Sequence, residues 1–99
     1  MNEVKFRGGL RFGFENVTIP FASLTVNKNR LYIDGSVLGD FRFKPEHITS
    51  IEPYMVFPFF IQGVKINHNI HVYPSEIIFW TFRNPNKVVR KIKETGFLD

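Results

Sequence analysis

The chain has 99 residues, 43% of them hydrophobic and 16% aromatic, with no cysteine and a formal net charge of +4. That length suits one domain, because two cores would each be too small to fold. A chain without cysteine has no disulfide frame, no thiolate nucleophile and no thiolate metal site. No apolar run reaches the roughly 18 residues of a membrane span, and MNEVKFRGG has no apolar stretch of signal-peptide length. The expectation is a soluble, cytoplasmic protein.

Twelve of the sixteen aromatic residues are phenylalanine. They supply buried area but no reactive group, and with Val and Ile they favour strands. Leu10, Phe12 and Phe14 alternate with Arg11, Gly13 and Glu15, the period of a half-buried strand. Gly8-Gly9 marks a bend or bulge before it, and Pro20 breaks the next stretch. Ala22, Leu24 and Val26 alternate with polar residues, as do Leu31 and Ile33. Asn27-Lys28-Asn29 between these runs predicts a hairpin, since Asn tolerates the positive φ of a tight turn. Phe41 and Phe43 give a fourth strand, and Pro45-Glu46-His47-Ile48 a helical turn or corner. Ile51 to Tyr54 reads as a short strand interrupted by Pro53. Val64 and Ile66 lie on another, and residues 67–75 are turn-rich.

Residues 77–82 are apolar on both faces, Ile77, Phe79 and Thr81 on one side and Ile78, Trp80 and Phe82 on the other. Each face therefore needs a cover. A helix can supply one. Asn84 is a good N-cap, Pro85 suits the first helical position, and Val88, Val89 and Ile92 share a face opposite Lys87, Arg90, Lys91 and Glu94. Gly96 suits the stop. The predicted architecture is mainly β: a bent antiparallel sheet or partly open barrel of about six or seven strands, with one amphipathic helix over 84–96. It spans 1–99 as a single domain, with 1–19 as an N-terminal extension and strands over 20–82.

Several strings carry a resemblance: Phe21-Ala22-Ser23-Leu24-Thr25-Val26, Arg30-Leu31-Tyr32-Ile33, Phe41-Arg42-Phe43, Ile48-Thr49-Ser50-Ile51-Glu52, Gly63-Val64-Lys65-Ile66-Asn67-His68, Tyr73-Pro74-Ser75-Glu76-Ile77-Ile78-Phe79-Trp80 and Gly96-Phe97. In order and spacing, over roughly residues 20 to 97, the chain resembles small bacterial pleckstrin-homology-like (PH-like) and GRAM-like proteins. The resemblance implies a scaffold reused for lipid head groups, peptides, other proteins or self-association, so it does not by itself fix a function. The phosphoinositide-binding members carry a wide basic cluster around the first strand pair. Here only Lys28-Asn29-Arg30 stands in that hairpin.

Nothing in the sequence assembles an active site. None of Ser23, Ser36, Ser50 and Ser75 lies in a nucleophile-elbow string, and the carboxylates fall near turns or on polar strand faces. His68 and His71, three apart, point to opposite faces of a strand and have no third ligand close in sequence. The chain reads as non-catalytic, with no cofactor and no metal. Charge says more. Residues 1–30 hold five basic and two acidic groups, and 83–99 hold the same, whereas 31–82 hold three basic and five acidic. If the two ends meet in space they form one basic face suited to anionic partners, with Lys28, Arg30, Lys87, Arg90 and Lys91 as its contacts. The aromatics alternate strictly with polar residues, as core phenylalanines do, so nucleic acid is the weakest of these partners.

The run from Tyr54 to Ile61 is almost wholly apolar. It is either a buried corner or an exposed patch of the kind that marks a partner or self-association. Tyr54, Met55, Val56, Phe57, Phe59 and Phe60 are the candidate interaction residues. The expectation is a binding or assembly module that engages a protein or a second copy, such as a homodimer, with an anionic membrane surface as the alternative partner.

Overall fold

The structure is a computed structural model that describes residues 3–56 and 61–98. These residues form seven strands, β1 (Val4–Phe12), β2 (Glu15–Val26), β3 (Leu31–Asp34), β4 (Asp40–Phe43), β5 (Ile48–Val56), β6 (Ile61–His68) and β7 (Ile77–Trp80), followed by helix α1 (Pro85–Glu94). Their single antiparallel sheet runs β4-β3-β2-β1-β7-β6-β5 and does not close. No helix among the described residues is long and apolar enough to cross a membrane. The mainly β reading with one C-terminal helix holds.

Alternation along the strands builds the core. Phe6, Leu10, Leu24, Val26, Leu31, Ile33, Phe43, Val64, Ile66, Ile77 and Phe79 meet on the concave face. Each large side chain so buried contributes roughly 1.5–3 kcal/mol. Helix α1 closes this face over β5 and β6 with Val88, Val89 and Ile92. It starts where expected: the Asn86 amide donates to the Asn84 side chain at 2.9 Å and Pro85 opens the first turn. Gly96, at φ +85°, lets the chain leave the helix.

Three local expectations change. Residues 1–19, set apart in sequence as an extension, supply the central strand β1, paired with both β2 and β7, and the first part of β2. The bulge expected at Gly8-Gly9 is present, as the register shift with β2 between Gly8 and Leu10 inside β1, and the backbones of β7 and β2 approach both glycines too closely for a Cβ. Both prolines lie within strands rather than ending them. Register shifts between Gly8–Ala22 and Leu10–Val17, so residues 18–21, including Pro20, stand opposite Gly9 alone. Pro53 is accommodated because β5 is an edge strand. The 27–29 hairpin works through a side chain and not through positive φ. The Asn27 side-chain oxygen, Oδ1, accepts from the backbone amides of Asn29 and Arg30 at 2.8 and 2.9 Å. Among the described non-glycine residues only Ser36 has positive φ.

The loop after β6 fills the gap between the two ends of the sheet. Tyr73 packs edge-to-face on Phe41 and Phe43, with ring centroids 4.9 and 5.3 Å apart. His68 holds that loop with both nitrogens: Nε2 donates to the Pro74 carbonyl at 2.7 Å, and Nδ1 accepts from the Ile70 amide at 3.0 Å.

Candidate functional site

Exposed apolar side chains occur in several places, Phe14, Phe21, Val37 and Val72 among them, and Ile61 and Phe82 border the convex face of the sheet. The centre of that face is one cross-strand row: Tyr54 on β5 stands opposite Gly63 on β6, Gly63 opposite Trp80 on β7, and Trp80 opposite Gly9 on β1. A glycine on each side leaves the indole room to lie along the sheet. The Tyr54 ring is 6.0 Å from it, and its Nε1 donates to the Asn16 side chain at 3.1 Å. The two glycines are needed there. A Cβ at Gly63 would stand 3.0 Å from the Phe79 carbonyl carbon and 3.1 Å from the Trp80 Cα, and one at Gly9 would meet the Val17 carbonyl.

Beside the indole runs a groove of about 380 Å³, lined by Thr18 and Ile19 of β2, Ile61 and Gln62 of β6, and Trp80 to Phe82. Phe82 is 82% exposed, yet its backbone is held. Gln62 Nε2 donates to the carbonyls of Phe82 and Arg83 at 3.2 and 3.0 Å, and the Thr81 amide donates to the Gln62 carbonyl at 3.0 Å. Ile61 is 46% exposed on the same rim. An exposed aromatic side chain on a held backbone, next to an open apolar groove, is the pattern of a contact surface rather than of a core residue.

Further along β7 the same face is closed. Ile78 has no exposed surface although it lies outside the concave core. Arg11 and Lys65 flank it in register, and both reach Glu76, at 3.9 and 3.6 Å. Their methylene stems cover Ile78 while their charged ends stay in water. The expectation that both faces of residues 77–82 need a cover is thus met by core and helix on one side. On the other side the ion pairs cover Ile78, Trp80 is half-buried beside Tyr54, and Phe82 is exposed.

Of the interaction residues read from sequence, Tyr54 is half-buried against Trp80, Val56 is half-buried and Met55 is 57% exposed. Phe57, Phe59 and Phe60 lie outside the described residues. Ile61 ends the apolar run read from sequence; Ile19, Trp80 and Phe82 are not among the sequence candidates, although the doubly apolar pattern of 77–82 carries the signal for the last two.

The basic candidates separate into three places. Lys87, Arg90 and Lys91 line a cleft between α1 and β1, together with Arg83. Lys28 lies in a second hollow with Lys93 and Gly96. Arg30 lines a third with Tyr32 and Arg42. There Tyr32 donates to an Asp40 carboxylate oxygen at 3.0 Å, and the Arg42 guanidinium sits 4.8 Å above the Tyr32 ring. The hydrogen bond to Asp40 holds the Tyr32 phenol above its ordinary pKa, because ionisation would set a phenolate beside a carboxylate. The N-terminal and C-terminal basic groups meet at Lys28 and Lys93, while Lys87, Arg90 and Lys91 line the α1–β1 cleft and Arg30 the hollow of Tyr32. No group of three or more His, Asp or Glu that could hold a metal ion occurs among the described residues.

Comparison of the chain with protein-family models, with curated proteins and with solved structures finds no match.

Proposed function

We propose that the protein is a non-catalytic binding and assembly module of PH-like architecture that associates with a second copy of itself through the convex face. One observation carries this reading. Phe82, 82% exposed, stands beside an apolar groove whose lining includes the exposed Ile61 and the half-buried Ile19 and Trp80. The order β4-β3-β2-β1-β7-β6-β5 and the terminal helix support the PH-like part. A two-fold axis through the groove lets each Phe82 enter the groove of the other copy. The edge strand β5, which contributes Tyr54 to the same face, adds backbone groups free to pair.

Sedimentation equilibrium tests the proposal. The native chain is expected near twice the monomer mass, and Phe82→Asp is expected to return it to one. Burying a charge where an aromatic anchor was costs at least about 2 kcal/mol, or about thirtyfold in Kd. A native chain that stays monomeric at high concentration contradicts the reading.

A further inference from the structure

Separate from the convex face, the α1–β1 cleft gathers charge. It has a volume of about 580 Å³ and is lined by Arg83, Lys87, Arg90 and Lys91, with Glu94 as its one carboxylate. Phe6 and Val88 supply an apolar floor. Outside the cleft, Arg11 and Lys65 meet Glu76 and Arg42 meets Asp40, while Lys5, Arg7, Lys28, Arg30, Lys44 and Lys93 form no ion pair among the described residues. Among the described residues none of the four cleft cations forms such a pair.

Their placement has an energetic cost. Lys87 and Lys91 are four apart on the helix and Lys87 and Arg90 three apart, so like charges stack on one face within about 6 Å along the axis. Glu94, four after Arg90 and three after Lys91, offsets part of this repulsion but leaves the cluster net positive. A single small anion answers one or two of these cations, whereas clustered phosphate groups answer all four and remove the repulsion.

From this we infer that the cleft binds a ligand bearing two or more neighbouring phosphate groups, either a free polyphosphate-type anion or the head groups of an anionic membrane. Arg83 and Arg90 clamp oxygens in pairs, and Lys87 and Lys91 act as point charges. Lys28 and Arg30, in other hollows, take no part.

The test compares two charge-matched variants, Lys87→Glu/Lys91→Glu in the cleft and Lys28→Glu/Arg30→Glu outside it. All four side chains are exposed, and thermal melts confirm folding; Lys87→Gln/Lys91→Gln replaces the first variant if it fails to fold. Each protein is titrated calorimetrically with inorganic pyrophosphate. Each is also sedimented with vesicles of phosphatidylcholine alone or mixed with phosphatidylglycerol. Binding in either arm that the cleft variant weakens by about tenfold or more, while the other variant keeps it, supports the site. Pyrophosphate then identifies a free ligand, and phosphatidylglycerol-dependent pelleting identifies a membrane. Binding in neither arm, or equal weakening by both variants, overturns the inference.

Discussion

Gly63→Ala probes the geometry on which the convex face depends. Gly63 lies between Tyr54 and Trp80 in the cross-strand row, and its backbone presses on that of β7. The added methyl would stand 3.0 Å from the Phe79 carbonyl carbon and 3.1 Å from the Trp80 Cα, nearer still to the Phe79 oxygen. Ordinary carbon contacts need roughly 3.5–4 Å, so β6 and β7 must part by about half an ångström or more. The opposing atoms are backbone and cannot rotate away. Overpacking of this kind costs about 1–3 kcal/mol, and a rigid ladder puts it near the upper end. For a domain of this size that is a fall of roughly 10–20 °C in Tm. Thermal unfolding followed by fluorescence of the single tryptophan, Trp80, reads it directly. Gly13→Ala is the control: no atom lies within 4 Å of its Cβ and only the φ of +60° resists the change, a cost of about 1 kcal/mol. A Gly63→Ala protein that melts within about 2 °C of the native one, on the same scale, refutes the reasoning. So does a Gly13→Ala protein that melts lower.

Three further outcomes are expected. In alkaline titration by phenolate absorbance, with Tyr32→Phe identifying the transition, Tyr32 ionises above the ordinary 10.0, and Asp40→Asn moves it back down. Because the neutral phenol is the form the fold favours, this contact stabilises the protein fully below pH 10.0 and is lost as pH rises through the raised value. Phe43→Ala removes a ring only 1% exposed and is expected to cost about 3–5 kcal/mol in urea unfolding. His68→Phe keeps an aromatic ring but leaves the Pro74 carbonyl and the Ile70 amide without their side-chain partner. Faster hydrogen exchange at Ile70 is the expected result, and unchanged protection would refute the role assigned to His68.

Short-range signals carried most of the fold. The Asn84-Pro85 start, the 88-89-92 stripe and Gly96 specify α1, because capping and helical periodicity are local. The Leu24/Val26 and Leu31/Ile33 alternations specify the second hairpin for the same reason. The role of 1–19 was not legible. That Val4–Phe12 fills the place between β2 and β7 depends on pairing with residues 77–80, some seventy positions away, and no local pattern encodes such a pairing. Pro20 and Pro53 misled for a related reason: proline's missing donor matters only where a neighbouring strand needs it, and neighbours are a tertiary fact. The candidate surface was half legible. Tyr54 was singled out for its apolar run, and the structure places it against Trp80. Trp80 and Phe82 read as core residues, because composition shows that a face is apolar but not how far it is covered: Trp80 is half-buried and Phe82 is exposed. The five basic residues looked like one set in a linear tally, and the sheet distributes them over three hollows.

Association of two copies through the convex face, as proposed, is visible in amide and indole proton–nitrogen spectra recorded over a dilution series. Concentration-dependent shifts are expected at the Trp80 indole, Ile61, Phe82 and Tyr54, with α1 unmoved. Spectra that do not change with concentration, or changes confined to α1 and the 27–30 hairpin, would contradict it.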